Sequence, residues 1–192
     1  MTRVDNHGRI DSVHKTWLIS DLHFDHENII KYCTRPFLNA SEMNEFLLTN
    51  WNALVLPEDD IYFLGDMAFG RGSRPPSFWL AKLNGKIHFI RGNHDREKLN
   101  AKESEILEHG SRRFLLIHDP EKKPTTWKEW VIHGHKHNND LKNYPFINGE
   151  KKTINVSAEL INYQPLDLEF LASLELDKIK YMETKTSKPE LW

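Results

Sequence analysis

A single cysteine, Cys33, occurs among the 192 residues, which excludes an internal disulfide and any zinc site built from several thiolates. A reducing, cytoplasmic location is the expectation that follows. Long apolar runs are also missing: stretches such as 61–64 and 114–117 fall far short of the ~20 residues a membrane span needs. Met1 to Lys15 are polar and hold no apolar segment of the kind a secretory signal requires. Neither sign of charge dominates, with 26 Lys and Arg against 28 Asp and Glu, so no strong basic field is present to draw in duplex nucleic acid.

With 39% hydrophobic and 28% charged residues, the composition fits an ordinary folded protein, and the length fits one domain with a real core. Residues 1–14, with His7 and His14, read as a loose arm, 15–181 as a single domain, and 182–192 as a polar, frayed tail in which Leu191 and Trp192 can dock. There is no repeat or interdomain linker. Short continuous apolar runs at 17–20, 61–64, 86–90, 114–118, 130–132 and 153–156 predict strands buried on both faces. Helical patterns cover about 41–54, 76–83 and 167–174. In the longest, Met43, Phe46, Leu47 and Trp51 share a face and Ser41 is the expected N-cap. The alternation is that of an α/β domain.

The strand ends carry the chemistry. Asp21-Leu22-His23 follows the first run, Gly65-Asp66 the second, and Gly92-Asn93-His94-Asp95 the third. The fourth ends in His118-Asp119 and the fifth in His133-Gly134-His135-Lys136-His137. Ligands bind at the carboxyl ends of strands in open α/β sheets. Any one of these groups is a weak signal, whereas five strand ends in succession delivering carboxylate, imidazole or amide predict a metal site.

The series Asp-x-His, Gly-Asp, Gly-Asn-His-Asp, His and Gly-His-x-His resembles the signature of the calcineurin-like metallophosphoesterases, in the family's order, from Asp21 to His137. Asn155-Val156-Ser157 and Tyr163-x-Pro165 resemble the small bacterial and phage members. The resemblance implies a four-layer αββα sandwich of two mixed β-sheets flanked by helices. It implies two divalent ions, with Mn first and Fe, Zn or Ni open. Asp21, His23, Asp66 and His137 would hold one, and Asp66, Asn93, His118 and His135 the other. Asp66 would bridge them, and a shared hydroxide would attack in line. His94 would touch no metal and would act as general acid. Two such ions bring +4 against −2 from Asp21 and Asp66, a balance suited to a phosphate ester. A nucleotide, a cyclic nucleotide and a nucleic-acid end all remain open as substrate, as does the oligomeric state.

One departure stands out. Where the family often writes Gly-Asp-x-x-Asp, with the last Asp orienting the histidine, this chain has Phe69; Asp95 or a backbone carbonyl is the expected substitute. His26, Arg35 and Arg71 are further candidates for substrate binding, and His133 for a buried supporting role. Cys33 reads as a packed residue, His88 and His109 as structural. Two rival readings compete. His133-x-His135-x-His137 partly resembles metallo-β-lactamase-like hydrolases, but the Asp-His that would complete that pattern is absent. A non-catalytic scaffold of the same fold is the other, and the presence of His94 speaks against it.

Overall fold

All six apolar runs expected as strands form them. In chain order the elements are β1 (Arg3–Val4), β2 (Ile10–Asp11), β3 (Thr16–Ile19), α1 (Glu27–Tyr32), α2 (Ala40–Leu54), β4 (Asp60–Phe63), α3 (Pro76–Leu80), β5 (Lys86–Phe89) and β6 (Ser104–His109). Then follow β7 (Arg112–Ile117), β8 (Trp130–His133), β9 (Ile147–Asn148), β10 (Thr153–Asn155), β11 (Leu166–Asp167), α4 (Leu168–Ser173), β12 (Ile179–Met182) and β13 (Glu190–Leu191). This computed structural model describes residues 3–4, 10–11, 14–95 and 100–191, the first two pairs as backbone alone. His7 and Trp192 lie outside the described residues.

Two mixed sheets form the body, as expected. One has the order β11-β3-β4-β5, with β3, β4 and β5 parallel and β11 antiparallel at the edge. The other runs β13-β12-β9-β10-β8-β7-β6, with β7, β8 and β10 parallel and the remainder antiparallel. Leu18, Ile61 and Phe63 of the first sheet share one core with Leu116, Ile132 and Ile154 of the second. Helix α2 covers the four-stranded sheet: it buries Met43, Leu47 and Trp51, and the Trp51 ring lies 6.3 Å from that of Phe63. Helix α4 packs on β3. Beyond the seven-stranded sheet a small second cluster, Leu115, Ile117 and Val131, is covered by Trp127. No helix among the described residues is long and apolar enough to cross a membrane.

Differences from the sequence reading have local causes. Asn39, not Ser41, caps α2: its Oδ1 accepts from Glu42 N at 2.9 Å. Strand β6 escapes a search for apolar runs because it is an edge strand with exposed positions between partly buried ones. The expected loose arm contains β1 paired with β2. The expected frayed tail turns back, so that β13 pairs with β12. Backbone hydrogen bonding needs no apolar side chains, which is why two-residue strands leave so little trace in the sequence.

At the end of the four-stranded sheet remote from the strand-end groups, Asp59 ties three strands together. Its carboxylate accepts from Lys15 N at 3.0 Å, Trp17 Nε1 at 2.9 Å and Leu56 N at 3.0 Å, and its carbonyl accepts from Lys86 N at 2.7 Å. Burial alone would raise this carboxyl, but the donors from Leu56, Lys15 and Trp17 outweigh it and hold it below its ordinary value. A carboxyl depressed by folding stabilises the protein above its unfolded value and loses that contribution as pH falls through the folded one. Asp59→Ala should therefore cost about 1–3 kcal/mol in urea denaturation at neutral pH, chiefly from the stranded, buried Trp17 Nε1–H. It should also lessen the loss of stability below about pH 4. A change under about 1 kcal/mol would contradict this account.

Candidate metal centre

The parallel strands of both sheets direct their carboxyl ends to one place. There the loops are knit by main-chain bonds: Asp21 N to Gly65 O at 3.0 Å, His23 N to Asp66 O at 3.0 Å, Ser20 N to Val156 O at 3.0 Å and Gly134 N to His118 O at 3.1 Å. Two glycines make the approach feasible. A Cβ on Gly92 would collide with Asp66, and one on Gly134 with Ser20 and Asp21. Five of the seven predicted ligands sit in left-handed backbone: Asp21 (φ 59°), His23 (51°), Asp66 (59°), His135 (68°) and His137 (48°). Such conformations are uncommon for residues with a Cβ, and they cluster where structure serves a site.

Each aspartate is anchored by one oxygen and presents the other. Asp21 Oδ2 accepts from His135 N and from Ser157 Oγ, both at 2.9 Å. Its Oδ1 is buried without a hydrogen bond, 4.0 Å from His23 Nε2 and 3.7 Å from His137 Nε2. Asp66 Oδ1 accepts from His94 N at 2.9 Å. Its Oδ2 lies 3.4 Å from His118 Nε2, 3.6 Å from His23 Nε2 and 4.0 Å from His94 Nε2. Asn93 Oδ1 is 2.9 Å from His118 Nε2. Both ring nitrogens of His23 are buried and unbonded. Groups of Asp21, His23 and His137, and of Asp21, Asp66 and His118, each have ligand atoms close enough to share an ion. In these groups Asp21 recurs, whereas the resemblance makes Asp66 the shared residue. His135 stands at the edge, its ring centroid 5.0 Å from that of His118 and its Nε2 4.0 Å from Asp119 Oδ2.

The electrostatics are those of a cation site. Burial pushes His23 well below the ordinary imidazole value, leaving it neutral, as a metal-binding imidazole must be. Burial acts the same way on His118 and His137 but loses. Asp66 and Asp21 push His118 up to about 9, and Asp21 and Glu159 push His137 up to about 11. The protons drawn onto these rings supply positive charge that the buried carboxylates demand, and a divalent ion can replace them. The orphaned Asp21 Oδ1 and His23 nitrogens, with an oxygen and imidazole donor set, fit a borderline divalent metal.

Several predicted residues do other work. Arg35, expected as a substrate ligand, is buried beneath the site with its donors taken up by the protein. It donates to Glu159 Oε1 at 2.8 and 2.6 Å, to Leu22 O at 2.8 Å and to Asp21 O at 2.7 Å. Asp95 does not orient His94. Its carboxylate accepts from the main-chain N–H groups of Asp66 and Gly92 at 2.8 Å and of Met67 at 3.1 Å. The His94 ring packs instead on Phe69, centroid to centroid 4.1 Å. His26 lies beside the cluster, 5.5 Å from the His23 ring, and Arg71 is exposed on the rim of the adjoining cleft. His133 is fully buried, bonded through Nδ1 to Gly134 O at 2.8 Å.

Glu159 went unnoticed in the sequence. It receives both Arg35 and, at 3.1 Å, His137 Nδ1, so it fixes the ring whose other nitrogen faces Asp21. Its nearness to the Asn155-Val156-Ser157 strand end was the available signal. Clefts open on two sides of the cluster. One of about 710 Å³ adjoins His94 and His26, and another of about 440 Å³ adjoins Asn93 and His118.

The family profile described as calcineurin-like phosphoesterase matches residues 14–191. A Methanocaldococcus jannaschii protein, MJ1445, itself uncharacterised, is 46% identical over 90% of this chain and 97% of its own length. The gene 66 protein of Mycobacterium phage L5 is 26% identical over 64% of this chain and 77% of its own. Among solved structures, AQ665 of Aquifex aeolicus, a protein of unknown function, superposes with a TM-score of 0.63 at 26% identity, covering 83% of this chain and 98% of that one. With nearly its whole length matched by the family and the family's strand-end residues gathered in one buried cluster, the chain belongs to the calcineurin-like phosphoesterases, metal-dependent hydrolases of phosphoric esters.

Proposed function

We propose that this chain is a dinuclear-metal phosphodiesterase. The observation that carries the reading is the convergence of Asp21, His23, Asp66, His118 and His137 in one buried cluster, in which Asp21 Oδ1 and both ring nitrogens of His23 have no hydrogen-bond partner. In this reading Asp21, His23, Asp66 and His137 hold one ion, and Asp66, Asn93, His118 and His135 the other. Two divalent ions held there, Mn foremost and Fe, Zn or Ni by the same donor chemistry, would acidify water and offset phosphate charge.

The remaining work falls to the chain's own groups. Glu159 and the backbone carbonyl of Leu64, 2.7 Å from His118 Nδ1, fix two imidazoles so that the opposite nitrogens face inward. His94 Nε2, 4.0 Å from Asp66 Oδ2 and on a half-exposed ring, stands at the cleft mouth, where it can give a proton to the departing oxygen. The clefts on both sides of the cluster leave room for a substituent on either side of the phosphorus, which favours a diester over a monoester. The single, buried Cys33 supports a cytoplasmic setting.

Reconstituted with Mn, the protein should carry two ions per chain by elemental analysis and lose activity to a chelator; one ion or none would refute the dinuclear reading. Aryl diesters should be cleaved at least as fast as matching monoesters, and a strong monoester preference would overturn the diester reading. Asp66→Asn should lose metal and turnover together. His94→Ala should keep its metal while kcat falls by ~10²–10⁴ on alkyl esters, and by less on nitrophenyl esters, whose leaving group needs no proton. Metal loss in His94→Ala would make the histidine a ligand instead.

A further inference from the structure

The cleft beside His94 is the larger of the two, about 710 Å³, a volume within the usual range for small-molecule sites. Its inner wall is aromatic: Phe69 packs at 4.1 Å on His94 and edge-on at 4.9 Å on His26. On its outer rim, Arg74 is already engaged. It is paired with Asp25 and lies 4.3 Å from the Trp79 ring and 4.8 Å from that of Phe78. Among the described residues the acidic groups facing this space are likewise occupied, Asp25 by Arg74 and Asn44, and Glu27 by the main-chain N–H of Ala40 at 2.8 Å. Arg71, exposed on the same rim, is, among the described residues, the arginine there without such an engagement and can meet a ligand.

We propose that this cleft binds the leaving-group side of the substrate, and that the leaving group is a nucleoside bearing a further phosphate: its base lies against Phe69 and its phosphate against Arg71. This rests on the phosphodiesterase reading above. A general acid must stand on the side from which the alcohol departs, and His94, with His26, Asn28 and Phe69, lines both this cleft and the space above the metal cluster. Water adds to phosphorus, the bond from phosphorus to the departing oxygen breaks, and that oxygen takes the proton from His94 Nε2. His94 regains a proton from the attacking water. The products are the departing nucleoside, its own phosphate still attached and its hydroxyl now free, and a phosphate monoester on the retained arm. A flat ring offers stacking to any base, and a planar guanidinium takes two phosphate oxygens at once.

The test uses the Mn-loaded full chain and three diesters with the same retained nucleoside and similar alkoxide leaving groups: a methyl ester, a dinucleotide, and that dinucleotide with a terminal phosphate on its leaving nucleoside. The dinucleotide should exceed the methyl ester in kcat/KM by about 10-fold or more, and the terminal phosphate should add a further several-fold through KM. Phe69→Ala should collapse the first ratio and Arg71→Ala the second; because Arg71 is exposed, its variant does not depend on the core to fold. Equal kcat/KM for all three in the parent protein overturns this proposal while leaving the phosphodiesterase reading intact. So do ratios that persist in both variants. Absence of turnover on every ester, nitrophenyl esters included, in protein carrying two ions overturns the underlying reading and this proposal with it.

Discussion

Asp21 carries its charge into the seam between the two sheets, where its side chain is fully buried. It leaves the four-stranded sheet after β3, yet its carboxylate is held by His135 N and Ser157 Oγ, both just beyond strands β8 and β10 of the seven-stranded sheet. Its carbonyl accepts from Arg35, Arg35 holds Glu159, and Glu159 holds His137, whose other nitrogen returns to within 3.7 Å of Asp21. The circuit closes on itself. Buried charges of this kind are costly unless every partner is present. A shift of one sheet against the other would therefore strand a carboxylate, and the relative position of the sheets and the geometry of the site are held by the same bonds.

That circuit explains which parts of the site could be read from the sequence. Asp21, His23, Asp66 and His118 announce themselves because each ends a continuous apolar run, and such runs are what buried parallel strands look like in one dimension. The supporting members do not. Arg35 lies on the turn after α1 and Glu159 in a short helical turn after β10, 124 residues apart, with nothing in their local context to pair them. An arginine near a phosphate site is an obvious substrate ligand from sequence alone. Only its 4% exposure and filled donor set reveal that it neutralises the site from beneath. The same limit hid β9, β11 and β13, whose pairing is a property of distant backbone and not of side-chain pattern.

Asp95 shows how a motif can be right in place and differently used. Its neighbour in sequence, His94, made it the natural substitute for the missing orienting carboxylate. The fold turns it the other way, under the Gly65 and Gly92 loops, where its three main-chain donors hold the Asp66 turn in its left-handed conformation. A carboxylate with three N–H donors gains more there than it would from one imidazole, because unsatisfied buried amides are expensive.

Phe69 then has consequences on both of its faces. In place of a carboxylate that would bond the histidine, it sets a ring against the His94 ring, so packing rather than a charged hydrogen bond fixes where the imidazole sits. The same ring forms the apolar wall of the large cleft, a surface that an aspartate could not provide. A carboxylate there would also have repelled an anionic ligand, whereas the ring adds no charge to a rim that carries the exposed Arg71. Phe69 in that place thus exchanges a charged partner of the His94 ring for an apolar surface on the cleft beside it. Under the proposed reading, orientation of His94 and selection of the departing group would be properties of a single side chain, so that a change at position 69 would touch both.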